Sequence, residues 1–263
     1  FTIAEGKPSY HMARVNRVVA ATGIRSNPLF WLILNAIVPW DYIFAWRLDL
    51  LRIDLRELLP QWLDIWYDLE ALGSLAAAAY LNPHYTFPEF ISSDNHKDPV
   101  FEAKALGHPL IPDDHKVCND FAINALGEIV IISGSNMSGK STFLRTTGIN
   151  LILGQAGGAV DAAFMRCRFM RLHTCIRISD SVTDGISYFY AEVKCLKALL
   201  EAVDSQHPLP LFYFVDEIFQ GTNNRERRIG SRAYVQALAG KPGIGLLSTH
   251  DLDLVQISDE VSV

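Results

Sequence analysis

The sequence has few cysteines and little excess charge. Its four cysteines form no C-x-x-C pair and show no metal-ligand spacing, a pattern that predicts reduced, buried thiols in a cytoplasmic protein. The net charge of −6 argues against a basic nucleic-acid cradle over the whole surface, although a local basic stripe stays open. The cysteines are Cys118, Cys167, Cys175 and Cys195.

The sequence also lacks an uninterrupted apolar run long enough to cross a membrane. Its most apolar stretch is residues 28–46, and Pro39 and Asp41 lie near the middle of it. A membrane-spanning helix needs about 20 predominantly apolar residues. A buried or interfacial helix is therefore predicted here, and a membrane-associated front end of the protein remains an alternative.

The chain divides into two parts with different residue patterns, and no internal repeat is visible. Residues 1–82 are predicted to be a helical segment, with apolar residues three and four positions apart over 28–82 and with Pro60 opening the second helix. Residues 83–263 are predicted to be an α/β domain whose short apolar strands form a largely parallel sheet covered by helices. The predicted strands are 85–91, 101–106, 117–123, 128–133, 211–215 and 244–248.

The strongest motif follows the apolar run 128–133 and precedes a helical pattern. It is a complete G-x-x-x-x-G-K-S match, in the strand–loop–helix context that a phosphate-binding loop requires. Backbone N–H groups of such a loop wrap phosphates, its lysine reaches the outer phosphates, and its serine can bind Mg²⁺. The alternative is a chance glycine turn with a solvated lysine. The predicted nucleotide-binding residues are Gly134, Ser135, Asn136, Met137, Ser138, Gly139, Lys140, Ser141 and Thr142.

An acidic pair follows another predicted buried strand. Asp216 and Glu217 come directly after residues 211–215, and the carboxyl ends of parallel strands open onto the ligand crevice. Asp216 is predicted to hold Mg²⁺ through water, and Glu217 to polarise the attacking water as a general base. An acidic turn without catalytic function is the alternative.

Two further features follow the same logic. Gly185 and Ser187 precede a predicted helix over 190–203, and a helix N-terminus of this kind can bind an anion. His250 follows the predicted strand 244–248 and can sense a γ-phosphate, although a lone histidine is more often structural.

The glycine loop, the Gly185–Ser187 helix start, the acidic pair and His250 occur in the order found in an ABC-type ATPase. The short interval between Lys140 and Ser187 leaves little room for the helical subdomain of transporter ATPases. The residues themselves resemble the MutS family of mismatch-repair ATPases, specifically its C-terminal ATPase domain. The likeness rests on SNMSGKSTFLR at 135–145, DEIFQGT at 216–222 and STH at 248–250. It is extended by YTFP at 85–88, GHP at 107–109 and VCN at 117–119.

The resemblance implies a P-loop ATPase that uses ATP and Mg²⁺ and pairs two-fold through its ATPase faces. Gly185 and Ser187 would then close the nucleotide site of a partner subunit, and Asn136 would help to position the γ-phosphate and water. Lys116 and Val117 fall where the family contacts adenine, and Lys116 replaces an aromatic residue that is frequent there. The helices before Pro83 would be the end of the family's core and lever region.

The predicted function is ATP hydrolysis coupled to conformational change, in mismatch repair or another DNA transaction. Two alternatives are a switch that binds ATP and recruits a partner with negligible hydrolysis, and an ABC-type energiser of a membrane-associated machine. The family reads mismatches with a Phe-x-Glu element, and residues 87–89 have that spelling. They lie in a predicted strand with Phe87 facing the core, so mismatch reading by this chain is not expected.

Overall fold

The computed structural model describes residues 7–23, 27–91, 99–135, 137–176, 188–219, 223–250 and 254. Backbone contacts divide the chain into two compact units, residues 1–74 and 75–263. The boundary falls within one long helix, α3 (Trp40–Leu81).

The first unit is helical. Helices α1 (Pro8–Thr22) and α2 (Pro28–Ile37) both begin with proline, whose missing N–H is tolerated in a first helical turn. The side chain of Asn27 caps α2 by accepting a hydrogen bond from the Phe30 N–H. The core of this unit is small, and its buried apolar residues are Val18, Phe44 and Leu51.

The prediction that Pro60 opens a helix is wrong. Helix α3 runs through Pro60 without a break. Proline in a helix interior removes one backbone hydrogen bond and costs about 3 kcal/mol, and the nearby apolar residues Leu59 and Leu63 are 43% and 39% exposed. The proline in the sequence is thus not sufficient to begin a new helix at this position.

The buried or interfacial helix predicted over residues 28–46 forms as α2 and the start of α3, and it is not buried within α2. No residue of α2 is buried, and its apolar side chains are solvent-exposed, including Leu29 at 76% and Ile37 at 77%. Among the described residues, no single helix is long and apolar enough to cross a membrane. The pair α2 and α3, bent by 84°, meets the length and composition criteria together.

The second unit contains two four-stranded sheets. The first has the order β1-β5-β2-β3, in which β1 and β5 are parallel and the other pairs are antiparallel. The second has the order β4-β8-β7-β6 and is entirely parallel. The strands of the first sheet are β1 (Glu89–Phe90), β2 (Phe101–Leu106), β3 (Asn119–Ile123) and β5 (Phe164–Cys167). Those of the second are β4 (Ile129–Ser133), β6 (Arg171–Cys175), β7 (Leu211–Asp216) and β8 (Gly243–Thr249).

The described part of this unit also contains helices α4 (Lys140–Gln155), α5 (Tyr188–Asp204) and α6 (Asn224–Leu238). Alternate residues of β7 enter two different cores, as the two-residue period of a strand requires. Phe212 and Phe214 pack with α4 and the first sheet. Tyr213 and Val215 pack with α5 and α6. The prediction of a mixed α/β domain with a parallel, helix-covered sheet is confirmed for β4, β6, β7 and β8. The predicted strands 101–106 and 117–123 instead belong to a separate, largely antiparallel sheet.

The strand predictions vary in accuracy. The predicted runs 101–106, 128–133, 211–215 and 244–248 correspond to β2, β4, β7 and β8, whereas β5 and β6 were not predicted because charged residues interrupt their apolar pattern. Within 85–91 only β1 forms a strand. Phe87 lies outside it and is 68% exposed. The prediction that Phe87 faces the core is therefore wrong.

The prediction of four reduced cysteines is wrong for one pair. Cys175 at the end of β6 and Cys195 on α5 form a disulfide, with their Cα atoms 6.1 Å apart, within the usual range for such a bond. They are 20 residues apart in the sequence, so only the packing of α5 on β6 brings them together. Cys118 is free and exposed, and Cys167 is free and buried. Burial raises the pKa of the Cys167 thiol to about 12.

Candidate functional site

The glycine loop, residues 134–139, joins the end of β4 to the start of α4. Gly139 is the N-cap of α4 and has a φ of +90°, a left-handed conformation that glycine adopts without steric cost. Met137, the described residue at the tip of the loop, also has a positive φ and is completely solvent-exposed. The loop thus turns sharply enough to place the N-terminus of α4 at the end of the parallel sheet.

Lys140 is the first residue of α4 and is only 8% exposed. Its Nζ donates hydrogen bonds to the backbone carbonyls of Gly134 and Ser135, at 2.9 and 2.8 Å. An ammonium group has three donors, and the first turn of a helix adds a positive dipole end. The loop therefore concentrates positive charge where an anion can be bound.

Ser141 and Asp216 meet next to this lysine. The Ser141 hydroxyl donates a hydrogen bond to Oδ1 of Asp216 at 2.9 Å. The hydroxyl of Ser248, on β8, donates to the same oxygen. Asp216 and Ser248 are direct partners in the register of the β7–β8 pair. The start of α4 and the carboxyl ends of β7 and β8 thus supply a compact group of oxygen atoms at one end of the parallel sheet.

Glu217 and His250 lie beside that group. Nδ1 of His250 is 3.4 Å from Oε1 of Glu217, and both side chains are partly exposed. The Glu217 N–H donates to the carbonyl and to the hydroxyl of Ser248. Glu217 has a φ of +55°, an uncommon conformation for a residue other than glycine, and such conformations cluster at functional sites. The backbone around Ser248 fixes this strained turn.

A cavity of about 750 Å³ opens beside the glycine loop. It is lined by the loop, by Lys140 and Thr142, and by residues between 108 and 121. Val117, predicted to contact a nucleotide base, lines this cavity and is 78% exposed. The volume is typical of a small-molecule site.

Lys116 does not face the cavity as a base-stacking position would. Its side chain is 7% exposed, and Nζ donates hydrogen bonds to Oδ2 of Asp161 at 2.8 Å and to Asp113. Burial opposes the charged form, but both carboxylates favour it, and the pKa of Lys116 lies above its usual range. Lys116, which falls where the family contacts adenine, is thus not among the residues that line the cavity.

A buried amide connects this lysine to the glycine-loop helix. Asn150 on α4 donates to the carbonyls of Gly107 and Thr146 and accepts from the Asp161 N–H. Gly107 can sit there only without a side chain, because a Cβ would lie 2.7 Å from Asp161 Oδ2 and from Lys116 Cδ. Sequence analysis missed Asn150 and Asp161, since nothing in their local pattern distinguishes them from other polar residues.

Three predicted site residues, Asn136, Gly185 and Ser187, lie outside the described residues. The described members Lys140, Ser141, Asp216, Glu217 and His250 are brought to one end of the parallel sheet. From the sequence, Ser248 stands out only as the first residue of the STH motif at 248–250. Its hydroxyl contact with Asp216 depends on strand register, which the sequence does not display.

Comparison with known proteins identifies the family. The family model described as MutS domain V matches residues 130–263, which include the glycine loop, the acidic pair and His250. The chain belongs to the MutS family.

Individual MutS relatives agree with this assignment. The chain is 34% identical over 57% of its length to Endonuclease MutS2 of Thermus thermophilus. It is 30% identical over 73% of its length to DNA mismatch repair protein MutS 2 of Halobacterium salinarum. It is also 28% identical over 74% of its length to DNA mismatch repair protein MutS of Lachnoclostridium phytofermentans. The matches cover 20%, 22% and 21% of these relatives, so the chain spans about a fifth of their length.

The glutamate of the Phe-x-Glu spelling at 87–89 is engaged within the protein. Glu89 forms an ion pair with Arg166, whose Nε and Nη2 lie 2.9 and 2.8 Å from Oε2. The carboxylate is thus already engaged across β1 and β5.

Proposed function

We propose that this MutS-family chain binds ATP in the cavity beside the glycine loop and hydrolyses it to ADP and phosphate. The observation that carries the proposal is the convergence of Lys140, Ser141 and Asp216 at the end of the parallel sheet, where Lys140 also lines a cavity of suitable size. Phosphates are expected against the glycine loop and Lys140, where backbone N–H groups and the ammonium can bind them. The base is expected on the side of Val117.

Mg²⁺ fits the oxygen atoms that the structure brings together. It prefers hard oxygen ligands and few protein groups, with the remaining positions taken by water and phosphate. The Ser141 hydroxyl and the Asp216 carboxylate, 2.9 Å apart, offer that donor set. When bound, the ion would neutralise charge on the phosphates. Lys140, the residue before Ser141 on α4, would add a second positive charge.

Glu217 is the residue we assign as general base. It lies next to Asp216, its backbone is fixed by two hydrogen bonds to Ser248, and His250 is close enough to orient its carboxylate. A carboxylate in this position can accept a proton from an attacking water. Asn136, and Gly185 with Ser187 from a second copy of the chain, would complete the site, as the family resemblance implies.

The role of this ATPase cycle would be a conformational signal in a mismatch-repair-related DNA transaction, in the cytoplasm. The names of the MutS and MutS2 relatives support this proposal. Because the chain spans about a fifth of those relatives, the DNA contacts of the full protein are expected outside it.

Phosphate release and nucleotide binding test the proposal together. Wild-type chain should release phosphate from Mg-ATP, and Glu217→Gln should bind ATP but hydrolyse it at least about a hundredfold more slowly, the usual scale for a lost general base. Lys140→Ala should lose tight binding of a fluorescent ATP analogue. Glu201→Gln, an exposed change on α5, is the matched control. Unchanged turnover in Glu217→Gln would contradict the assignment, and binding without any wild-type turnover would favour an ATP-dependent switch.

A further inference from the structure

A second cluster of metal-ligating side chains lies away from the glycine loop. His173, Cys175 and Cys195 each place one ligand atom within 4.8 Å of the others. His173 and Cys175 are two residues apart on β6, so they point to the same face of the strand. Cys195 comes from α5, which packs against that face. Among the described residues this is the one group of three or more such side chains that could hold a metal ion.

We propose that, when Cys175 and Cys195 are reduced, this trio binds one thiophilic metal ion, with Zn²⁺ as the expected occupant. Zn²⁺ binds well to two thiolates and one imidazole, whereas Mg²⁺ prefers oxygen ligands. With bond lengths of about 2.3 Å to sulfur and 2.0 Å to nitrogen, tetrahedral ligands lie about 3.5–3.8 Å apart. In the structure the two sulfurs are bonded to each other, and the ligand atom of His173 lies within 4.8 Å of both. Reduction must therefore let the two sulfurs separate before the trio reaches that spacing.

The surroundings of the trio suit a metal site with three protein ligands. The ring of His173 is hydrogen-bonded to the backbone of Cys195, and metal-binding histidines commonly use one ring nitrogen in this way, which fixes the ring orientation. Cys175 is buried, whereas His173 and Cys195 are partly exposed. Solvent can therefore supply the fourth ligand, as in open zinc sites.

The disulfide and the metal exclude one another, because a sulfur in a disulfide is not a thiolate ligand. Zinc binding by the dithiol releases the two thiol protons and changes no oxidation state. Either state joins the last residue of β6 to α5. In the sequence, β6 ends shortly before residues 177–187 and α5 begins directly after them. This segment contains Gly185 and Ser187. The site would thus hold together both flanks of the segment that the family resemblance assigns to a partner's nucleotide.

The test uses the whole 263-residue chain and Co²⁺ as a spectroscopic probe. A water-soluble phosphine reduces the disulfide, giving two thiols and the phosphine oxide with water as the oxygen source. The metal-free protein is then titrated with Co²⁺ and afterwards with Zn²⁺, in excess Mg²⁺. We expect one equivalent of Co²⁺ with thiolate charge-transfer bands, and displacement of those bands by one equivalent of Zn²⁺.

Matched variants assign the signal to the trio. Cys195→Ser and Cys175→Ser should weaken metal binding at least about a hundredfold. Losing even a group that only hydrogen-bonds to a metal ligand lowers metal affinity about tenfold to a hundredfold. His173→Gln should weaken it by at least about tenfold. Cys118→Ser, which removes the exposed thiol, should change nothing. Circular dichroism of each variant without metal shows whether the fold is retained.

A second measurement does not depend on any variant that fails to fold. Zn²⁺ should protect Cys175 and Cys195 of the reduced wild-type chain from alkylation, while Cys118 reacts at its usual rate. The proposal is overturned if the reduced, folded chain binds no Co²⁺, if Cys195→Ser binds it equally well, or if Zn²⁺ leaves alkylation of both cysteines unchanged. Any of these results would make the pair a disulfide only.

Discussion

Ser248 donates a hydrogen bond to Oδ1 of Asp216, the oxygen that also accepts from Ser141. The two residues face one another across β7 and β8, and the Glu217 N–H donates back to the Ser248 hydroxyl. One serine side chain thus connects the proposed metal-binding carboxylate to the backbone of the proposed general base. Ser248 is accordingly a positioning residue in the proposed site.

The first prediction concerns this serine. Ser248→Ala should raise the Mg²⁺ concentration needed for half-maximal ATP hydrolysis by about tenfold, the low end of the effect of losing an outer-shell partner. A steady-state Mg²⁺ titration at saturating ATP measures it. Ser205→Ala, which alters a serine bonded to the backbone at the end of α5, is the control. An unchanged Mg²⁺ requirement would mean that Asp216 is positioned without Ser248.

The second prediction concerns the buried ion pair of Lys116 and Asp161, whose side chains are 7% and 4% exposed. Lys116→Met should lower the free energy of unfolding by roughly 3 kcal/mol, because it leaves a buried carboxylate without its cation. Urea denaturation measures the loss. The exposed change Lys104→Met is the control.

A double variant separates the ion pair from simple packing. Lys116→Met combined with Asp161→Asn should recover part of the loss, since it removes the uncompensated charge. A single-variant loss below about 1 kcal/mol, with no recovery in the double variant, would place the pair among weak surface contacts.

The third prediction tests sharing of the site between two copies. Ser187→Arg and Lys140→Ala should each be inactive alone, and a mixture should regain about one working site per heterodimer, because one composite site keeps both intact halves. Phosphate release from the mixture measures the rescue. Subunit exchange is verified by differently tagged chains. No rescue after verified exchange would indicate that each site is formed within one chain.

The fourth prediction is that this chain does not distinguish mismatched from matched DNA. Glu89 is paired with Arg166, and the charge of −6 supplies little counterion release to hold a duplex. Fluorescence anisotropy at near-physiological salt should show affinities within about tenfold, or 1.4 kcal/mol, for the two duplexes. Because Phe87 is 68% exposed, Phe87→Ala should leave the fold intact. A larger mismatch preference that this substitution abolishes would contradict the prediction.

Local sequence determined the parts of the candidate site that are contiguous along the chain. The glycine loop consists of consecutive residues between a strand and a helix, and the acidic pair directly follows an apolar run. In these places the chain itself fixes which residues are neighbours. The family resemblance followed from the same short segments, and so did the helix-covered parallel sheet.

Tertiary structure decided the contacts between segments that are distant in the chain. The Ser248–Asp216 bond depends on the register of two strands, and the inward turn of Lys116 depends on a carboxylate 45 residues away. The exposure of Phe87 and the meeting of Cys175 with Cys195 also depend on how the elements pack. Hydrophobic periodicity states which residues prefer burial, but which surface covers them is fixed only when the elements pack.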